Sequence, residues 1–531
     1  MRKLLLASVA VLGAASAAQA QVNMNANPTP NVPGVNAAAN AMPTLAPGQI
    51  NVRMNGRFNW YAGFLADGDS NASYWTNSAT APTSSAWGAT LTSGGTTLTN
   101  QRPSVTNSIR LTPISAGGNG FSASGANSVM VRAKNNQGAS FASYIRLYPG
   151  FDGMAANGLR YGVAAEIRQD NGGRSGGGAA GTISASNNVR AALYWRRAYG
   201  YVAGDSWGTL RFGSGDGPVG LFMTGNFENM NDAGWNGDLP AMLAGGGSPA
   251  WPFADVGTVY GTNKIVYLSP QFAGFDVGFS WAPTSNSLSN NNGCALAAAS
   301  VGCDRLFSID SSGNTREQAR QHDFFEAAVR YRGTFGGVGI AAYGGWFGST
   351  SINTNNILYT TFLPTTTFKN NSIGVGGAQI SYAGFAIGGM VQGGDYNRGF
   401  SPAPTGTDAS LAWLVGATYT TGPIIVGGHY FEHTTPGAYV PSGSASAASS
   451  QVDKEQKERG LALGGTYAVA PGFSLFLSYI WGDRHQGGVN LLTGQTTTQN
   501  ATDSSHTHPF GQFSKNTITV QAISLGTQLR W

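Results

Sequence analysis

From Asn51 onward the chain alternates. Val52, Met54, Phe58, Trp60, Ala62 and Phe64 fall on one face, and Asn51, Arg53, Asn55, Arg57, Asn59 and Tyr61 on the other. A period of two marks an extended strand with one apolar and one polar face. The same rhythm ends the chain: Ile523, Leu525, Leu529 and Trp531 alternate with Ala522, Ser524, Gly526, Gln528 and Arg530. Termini of soluble proteins are normally frayed and polar. A last strand that finishes on an aromatic suits a barrel whose outer wall meets lipid and whose inner wall meets water.

Between these ends the pattern recurs. Leu159, Tyr161, Val163, Ala165 and Ile167 oppose Arg160, Glu166 and Arg168, while Phe325, Ala327, Val329 and Tyr331 oppose His322, Glu326, Arg330 and Arg332. Neighbouring segments are joined by tight Gly, Pro or Asp turns at Asp205-Ser-Trp-Gly208, Thr334-Phe-Gly-Gly337, Ala383-Gly384, Thr421-Gly-Pro423 and Ala470-Pro-Gly472. Such residues favour hairpins. Long polar loops separate the pairs, so short and long connections alternate as in an outer-membrane barrel. The segmentation predicts an all-β, transmembrane antiparallel barrel of sixteen strands, the first over 50–66 and the last over 515–531, with others over 208–214, 258–270 and 321–335. About ten residues per strand, at about 3.3 Å each and tilted by about 45°, span roughly 23 Å, close to the apolar band of such barrels. Residues 128–134 read as a further strand or as the start of the second, so eighteen strands stay open.

The amino terminus adds an address. Met1-Arg-Lys is basic, residues 4–13 are apolar, and Ala18-Gln-Ala20 has small residues where a signal peptidase needs them. The expectation is a signal peptide over 1–20, a flexible Asn/Pro/Ala-rich periplasmic leader over 21–49, and a barrel over 50–531. No later stretch has 18 consecutive apolar residues, the length a membrane helix needs. Charged residues make up only 10% of the chain, against 77 glycines and 11% aromatics. A wall in lipid needs little charge, whereas a soluble surface needs more. Without Arg2 and Lys3 the chain has 28 basic and 25 acidic residues. That near balance gives no footing for nucleic acid. Cys294 and Cys303 lie in a polar stretch, where export permits a disulfide.

Sixteen strands leave an aqueous lumen that something must narrow. The third long loop, about 213–257, carries Asp216, Glu228, Asp232, Asp238 and Asp255 and has no Lys or Arg. The strands before it carry Arg146, Arg160, Arg168, Arg196, Arg197 and Arg211. If the loop folds inward, its carboxylates confront arginines across the narrowest point, and charged linings set ion preference. Arg197 is the least secure member, because Trp195, Tyr199 and Tyr201 would share its face in a regular strand.

These features together resemble the Gram-negative general porins, most closely those of alphaproteobacterial type. The likeness is carried by the signal peptide, the opening strand from Val52 to Phe64, the run Thr209-Leu-Arg-Phe-Gly-Ser-Gly-Asp216 entering the long loop, and the terminal Leu525-Gly-Thr-Gln-Leu-Arg-Trp531. The resemblance implies a trimeric outer-membrane channel through which ions and small hydrophilic solutes diffuse passively. It places Asp216, Glu228 and Asp232 at the constriction with Arg146, Arg168, Arg196 and Arg211 opposite, and makes Trp531 the signal read by the outer-membrane assembly machinery. Family members commonly end in Phe, for which Trp is a permissible substitute.

Other chemistry finds little support. His429 and His433 lie four apart on a strand without H-E-x-x-H, and neither a G-x-S-x-G elbow nor a P-loop occurs. The loop acids lack a D-x-D-x-D-G calcium pattern. No enzyme, metal or cofactor is expected. Trp60, Tyr148, Tyr199, Trp207, Tyr267, Trp281, Tyr343, Trp346, Tyr382, Tyr479 and Trp481 are candidates for interfacial belts facing lipid. The Gly-rich runs at 374–377 and 388–389 would either admit another subunit or ease strand curvature. The alternative to a general pore is a channel selective for a sugar or an anion, with an outer-membrane enzyme a lesser rival.

Overall fold

The computed structural model describes residues 46–67, 73–78, 107–111, 127–133, 139–170, 193–228, 230, 234–237, 239–242, 249–254, 263–284, 321–351, 368–400, 402–403, 405–437, 455–486 and 517–531. The expected signal peptide, nearly all of the leader, Asp232, Cys294 and Cys303 lie outside them.

The opening strand β1 (Ile50–Asp67) is followed by β2 (Ser73–Ser78), β3 (Asn107–Leu111) and β4 (Asn127–Ala133). These three short strands form their own sheet in the order β2-β4-β3. The fifteen strands that follow are β5 (Ala139–Met154), β6 (Arg160–Asp170), β7 (Tyr194–Gly204), β8 (Gly208–Ser214), β9 (Asn263–Leu268), β10 (Phe275–Thr284), β11 (Gln321–Phe335), β12 (Val338–Ser351), β13 (Asn371–Tyr382), β14 (Phe385–Asp395), β15 (Ser410–Thr421), β16 (Ile424–Thr435), β17 (Gln456–Ala470), β18 (Phe473–Gln486) and β19 (Thr517–Arg530). With β1 they close a sixteen-stranded antiparallel barrel in sequence order. The segment near 128–134 therefore does not enlarge the wall. It is β4, paired on both edges by β2 and β3, while β5 pairs directly with β1.

Closure is made at the two ends of the chain. β1 pairs with β19 from Arg57↔Arg530 to Asp67↔Val520. Beyond β19, Gly56 and Trp531 exchange both backbone hydrogen bonds at 3.1 Å. The Trp531 ring lies over Gly56, in space that a Cβ would fill. Glycine is needed there because aromatic and backbone approach closely.

The alternation read from the sequence decides which side each residue faces. Val52, Met54 and Phe64 on β1, and Ile523, Leu525 and Leu529 on β19, are exposed on the outer wall, whereas Arg57, Asn59 and Tyr61 are buried within. An exposed apolar surface of this kind is stable only against lipid. Among the belt aromatics, Trp60, Trp207, Trp281, Trp346 and Tyr382 are exposed. Tyr199 and Tyr343 are not, and the belt reading is corrected for both: each is 6% exposed and faces inward. Tyr343 has the opposite parity to outward Trp346 on β12.

Tyr199 turns inward for a different reason. The β6–β7 register slips between Glu166 and Ile167, so that Glu166 faces Arg197 while Ile167 faces Trp195, leaving Arg196 as an extra residue. A bulge reverses the phase of everything beyond it. Trp195 stays outside at 64% exposure, while Arg196, Arg197, Tyr199 and Tyr201 are all buried inside. The face that Arg197 was expected to share with Trp195 is split by this one residue.

Candidate functional site: the lumen and its inward loop

The third loop leaves β8 and folds into the barrel. Its first turn is a short helix, α1 (Pro218–Phe222), whose Pro at the first position and buried Val219 and Phe222 suit a packed start. From there the loop runs round the inner wall. Pro218 and Phe222 sit against Gly278 of β10, Val219 against Gly345 of β12, Thr224 against Gly377 of β13 and Phe227 against Gly416 of β15. Thr466 on β17 donates to the Met230 carbonyl at 2.5 Å, and Trp235 Nε1 donates to the Leu461 carbonyl at 3.0 Å. The turn Leu239–Met242 reaches β1. The loop then doubles back, and Gln392 of β14 clamps it, donating to Pro252 O at 2.8 Å and accepting from Ala254 N at 3.1 Å. Each polar backbone group fixed in this way avoids the cost of burial without a partner.

This path covers the inner wall from β9 to β18 and, beyond the turn that reaches β1, leaves β1 and β5–β8 largely without it. The bare wall is where the arginines are. Arg57, Arg146, Arg168, Arg196, Arg197 and Arg211 are all buried on these five strands. Glu166, 2% exposed, lies among them: Arg168 and Arg197 donate short hydrogen bonds to it, and Arg196 Nη1 reaches it at 3.4 Å. Arg197 also pairs with Asp216 at 2.6 Å. Aromatic faces hold the remaining guanidiniums. Arg146 and Arg57 lie 4.2 Å and 5.5 Å from the Tyr144 ring, and Arg211 lies 5.1 Å from Tyr199. Stacking on a ring face suits the planar guanidinium and stiffens it. Tyr144 is itself held by Asn59 Nδ2, which donates to the hydroxyls of Tyr61 and Tyr144, both at 2.8 Å.

The predicted constriction residues thus fall in different places. Asp216 is on the arginine side, paired with Arg197. Glu228 is across the lumen, hydrogen-bonded through Oε1 to His429 Nε2 of β16 and accepting from Trp235 N at 3.1 Å. β16 is seven strands from β7 one way round the ring and nine the other. Both acids fasten the loop, Asp216 at its start and Glu228 on the far wall. Arg146, Arg168, Arg196 and Arg211 are brought together, joined by Arg57, Glu166 and Arg197. Parity placed Arg57 inward, but only the bulge shows why Arg197 belongs. His429 offered no signal, since its partner is 201 residues away. At the margin between the two walls, Lys264 Nζ pairs with Glu326 at 3.0 Å, and Arg330 and Arg332 pair with Asp276. Among the described residues no cluster of His, Cys, Asp and Glu could hold a metal ion.

A profile of the Gram-negative porin family matches residues 7–486. Nothing matches among curated proteins. Among solved structures, the chain is similar to an anion-selective porin from Comamonas acidovorans, at 11% identity over 91% of this chain and 100% of that one, with a TM-score of 0.44. It is also similar to the outer membrane channel DcaP of Acinetobacter baumannii, at 11% identity, 92% and 100% coverage and a TM-score of 0.43. A third is OmpT of Vibrio cholerae in its trimer form, at 12% identity, 91% and 99% coverage and a TM-score of 0.40.

Proposed function

We propose, from the premise that the chain belongs to the Gram-negative porin family and is an outer-membrane channel for passive diffusion, that it passes small hydrophilic anions in preference to cations along the arginine wall. The observation that carries this is the charge balance there. Among the described residues, six buried guanidiniums on β1 and β5–β8 stand with three buried carboxylates, Asp152, Glu166 and Asp216. Buried charge of one sign draws in charge of the other, and an excess of fixed cations enriches anions in a narrow passage. Loop three supports the same reading. Two of its carboxylates, Asp216 and Glu228, are engaged in fastening it.

Diffusion needs no bond made or broken, so no catalytic residue or cofactor is assigned. Trimeric assembly, removal of residues 1–20, recognition of Trp531 by the assembly machinery and a Cys294–Cys303 disulfide remain part of the proposal and rest on the sequence. The disulfide is tested by iodoacetamide: unreduced protein should not be labelled.

Reversal potentials across a planar bilayer under a potassium chloride gradient test the preference. The native channel should favour chloride. Arg168→Gln, Arg196→Gln and Arg211→Gln together should lower the chloride-to-potassium ratio. Each guanidinium contributes about 1 kcal/mol of attraction to an anion at roughly 4 Å in water, so the fall is on the order of tenfold or more. A cation-selective native channel would refute the proposal.

A further inference from the structure

The glycines of the covered wall follow an order. Along the loop, Pro218, Val219, Thr224, Phe227 and Trp235 sit in turn against Gly278 on β10, Gly345 on β12, Gly377 on β13, Gly416 on β15, and Gly460 with Gly482 on β17 and β18. A Cβ would lie 2.6 Å from Pro218 Cβ at Gly278, 3.2 Å from Val219 Cγ2 at Gly345 and 2.7 Å from Phe227 Cβ at Gly416. At Gly460 it would lie 2.8 Å from Trp235 Nε1, and at Gly482 2.6 Å from Trp235 Cζ2. At Gly377 it would run into the Thr224 carbonyl, which is backbone and cannot swing aside. All these distances are shorter than the about 3.5–4.0 Å of a good contact, and all but the one at Gly345 are under 3.0 Å. None of the six glycines is at positive φ, so backbone conformation does not demand glycine at any of them.

Two outward glycines of the same strands are open. At Gly344 on β12 a Cβ would meet nothing within 4 Å, and at Gly374 on β13 only a carbonyl at 4.0 Å. Where outward glycines are crowded, as at Gly348 and Gly465, the neighbours are atoms of the wall itself and not of the loop. We propose that the inward glycines are positioning residues that set how close loop three lies to the wall, and so set the bore of the channel. This concerns the width of the passage and is independent of the charge preference proposed above.

The test uses the purified full-length protein in planar bilayers, with a series of neutral solutes of increasing size. Gly377→Ala and Gly416→Ala should push the loop into the lumen. One added carbon moves it by about 1.5 Å, a C–C bond length, so single-channel conductance should fall by roughly a fifth or more and the size cut-off should drop. Gly374→Ala, on the open face of β13, should change neither. Phe227 is at φ 50°, a conformation glycine adopts without strain. In a Phe227→Gly background the clash at position 416 disappears, and adding Gly416→Ala should then have no effect. This cycle decides the matter even where Gly416→Ala alone fails to fold. Unchanged conductance in both inward variants, an equal loss in Gly374→Ala, or a full Gly416→Ala effect without Phe227 would each overturn the proposal.

Discussion

The two halves of the inner wall solve one problem in opposite ways. On β1 and β5–β8 the inward positions carry long, charged or hydroxylated side chains: Arg57, Arg146, Arg168, Arg211, Tyr144 and Tyr199. On β10–β18 many inward positions are small, among them Gly278, Gly345, Gly377, Ala412, Gly416 and Ala462. The first half fills its side of the lumen with its own side chains. The second lets a loop do so, and its smallness is a mould for that loop. Inward side-chain size therefore indicates where an inward loop will lie, while charge sign indicates where it will not.

The comparison can be broken at several points. The two halves meet at the seam of β1 with β19, where Trp531 packs over Gly56. Deleting Trp531 should have the largest effect, loss of the heat-modifiable barrel from the outer membrane, read by gel mobility with and without heating. Next is importing the chemistry of one wall into the other. Ala412 is fully buried on β15, opposite His433. Ala412→Arg would bury a charge without room or partner at a cost of about 3 kcal/mol or more, and the barrel should unfold at lower denaturant. The smallest effect comes from releasing the loop at these two ties. Asp216→Asn with Glu228→Gln weakens its ties to Arg197 and His429 and removes two negative charges. The channel should become noisier and several-fold more anion-selective, each charge counting for about 1 kcal/mol or less in a wet lumen. An unchanged reversal potential would show that neither acid is felt by the permeating ion.

Much of the architecture was legible because a strand's two faces follow from parity alone. β8 and β11 have the bounds that alternation and turns suggest, 208–214 and 321–335. The strand expected over 258–270 is described from Asn263 to Leu268, and its first five residues lie outside the described ones. What parity could not reveal was any break in parity. The bulge beside Glu166 has no local signature, so Tyr199 read as lipid-facing and Arg197 as doubtful. Nor could it tell how far the loop travels. Glu228 meets His429 only because the chain crosses the lumen, and a contact at that separation is a property of the closed barrel. The glycine runs were visible, but both readings offered for them missed that Gly377 receives the loop.

The same bulge has a consequence for how such a channel can diverge. Arg196 is the residue that β7 holds in excess of its partner β6. Removing it would restore regular pairing and leave every other side chain on its present face. A three-nucleotide deletion could thus subtract one positive charge from the interior without disturbing the rest of the cylinder, and the reverse insertion could add one. At this position a change of length acts as a graded adjustment of permeability, whereas elsewhere in a strand it would turn the wall inside out.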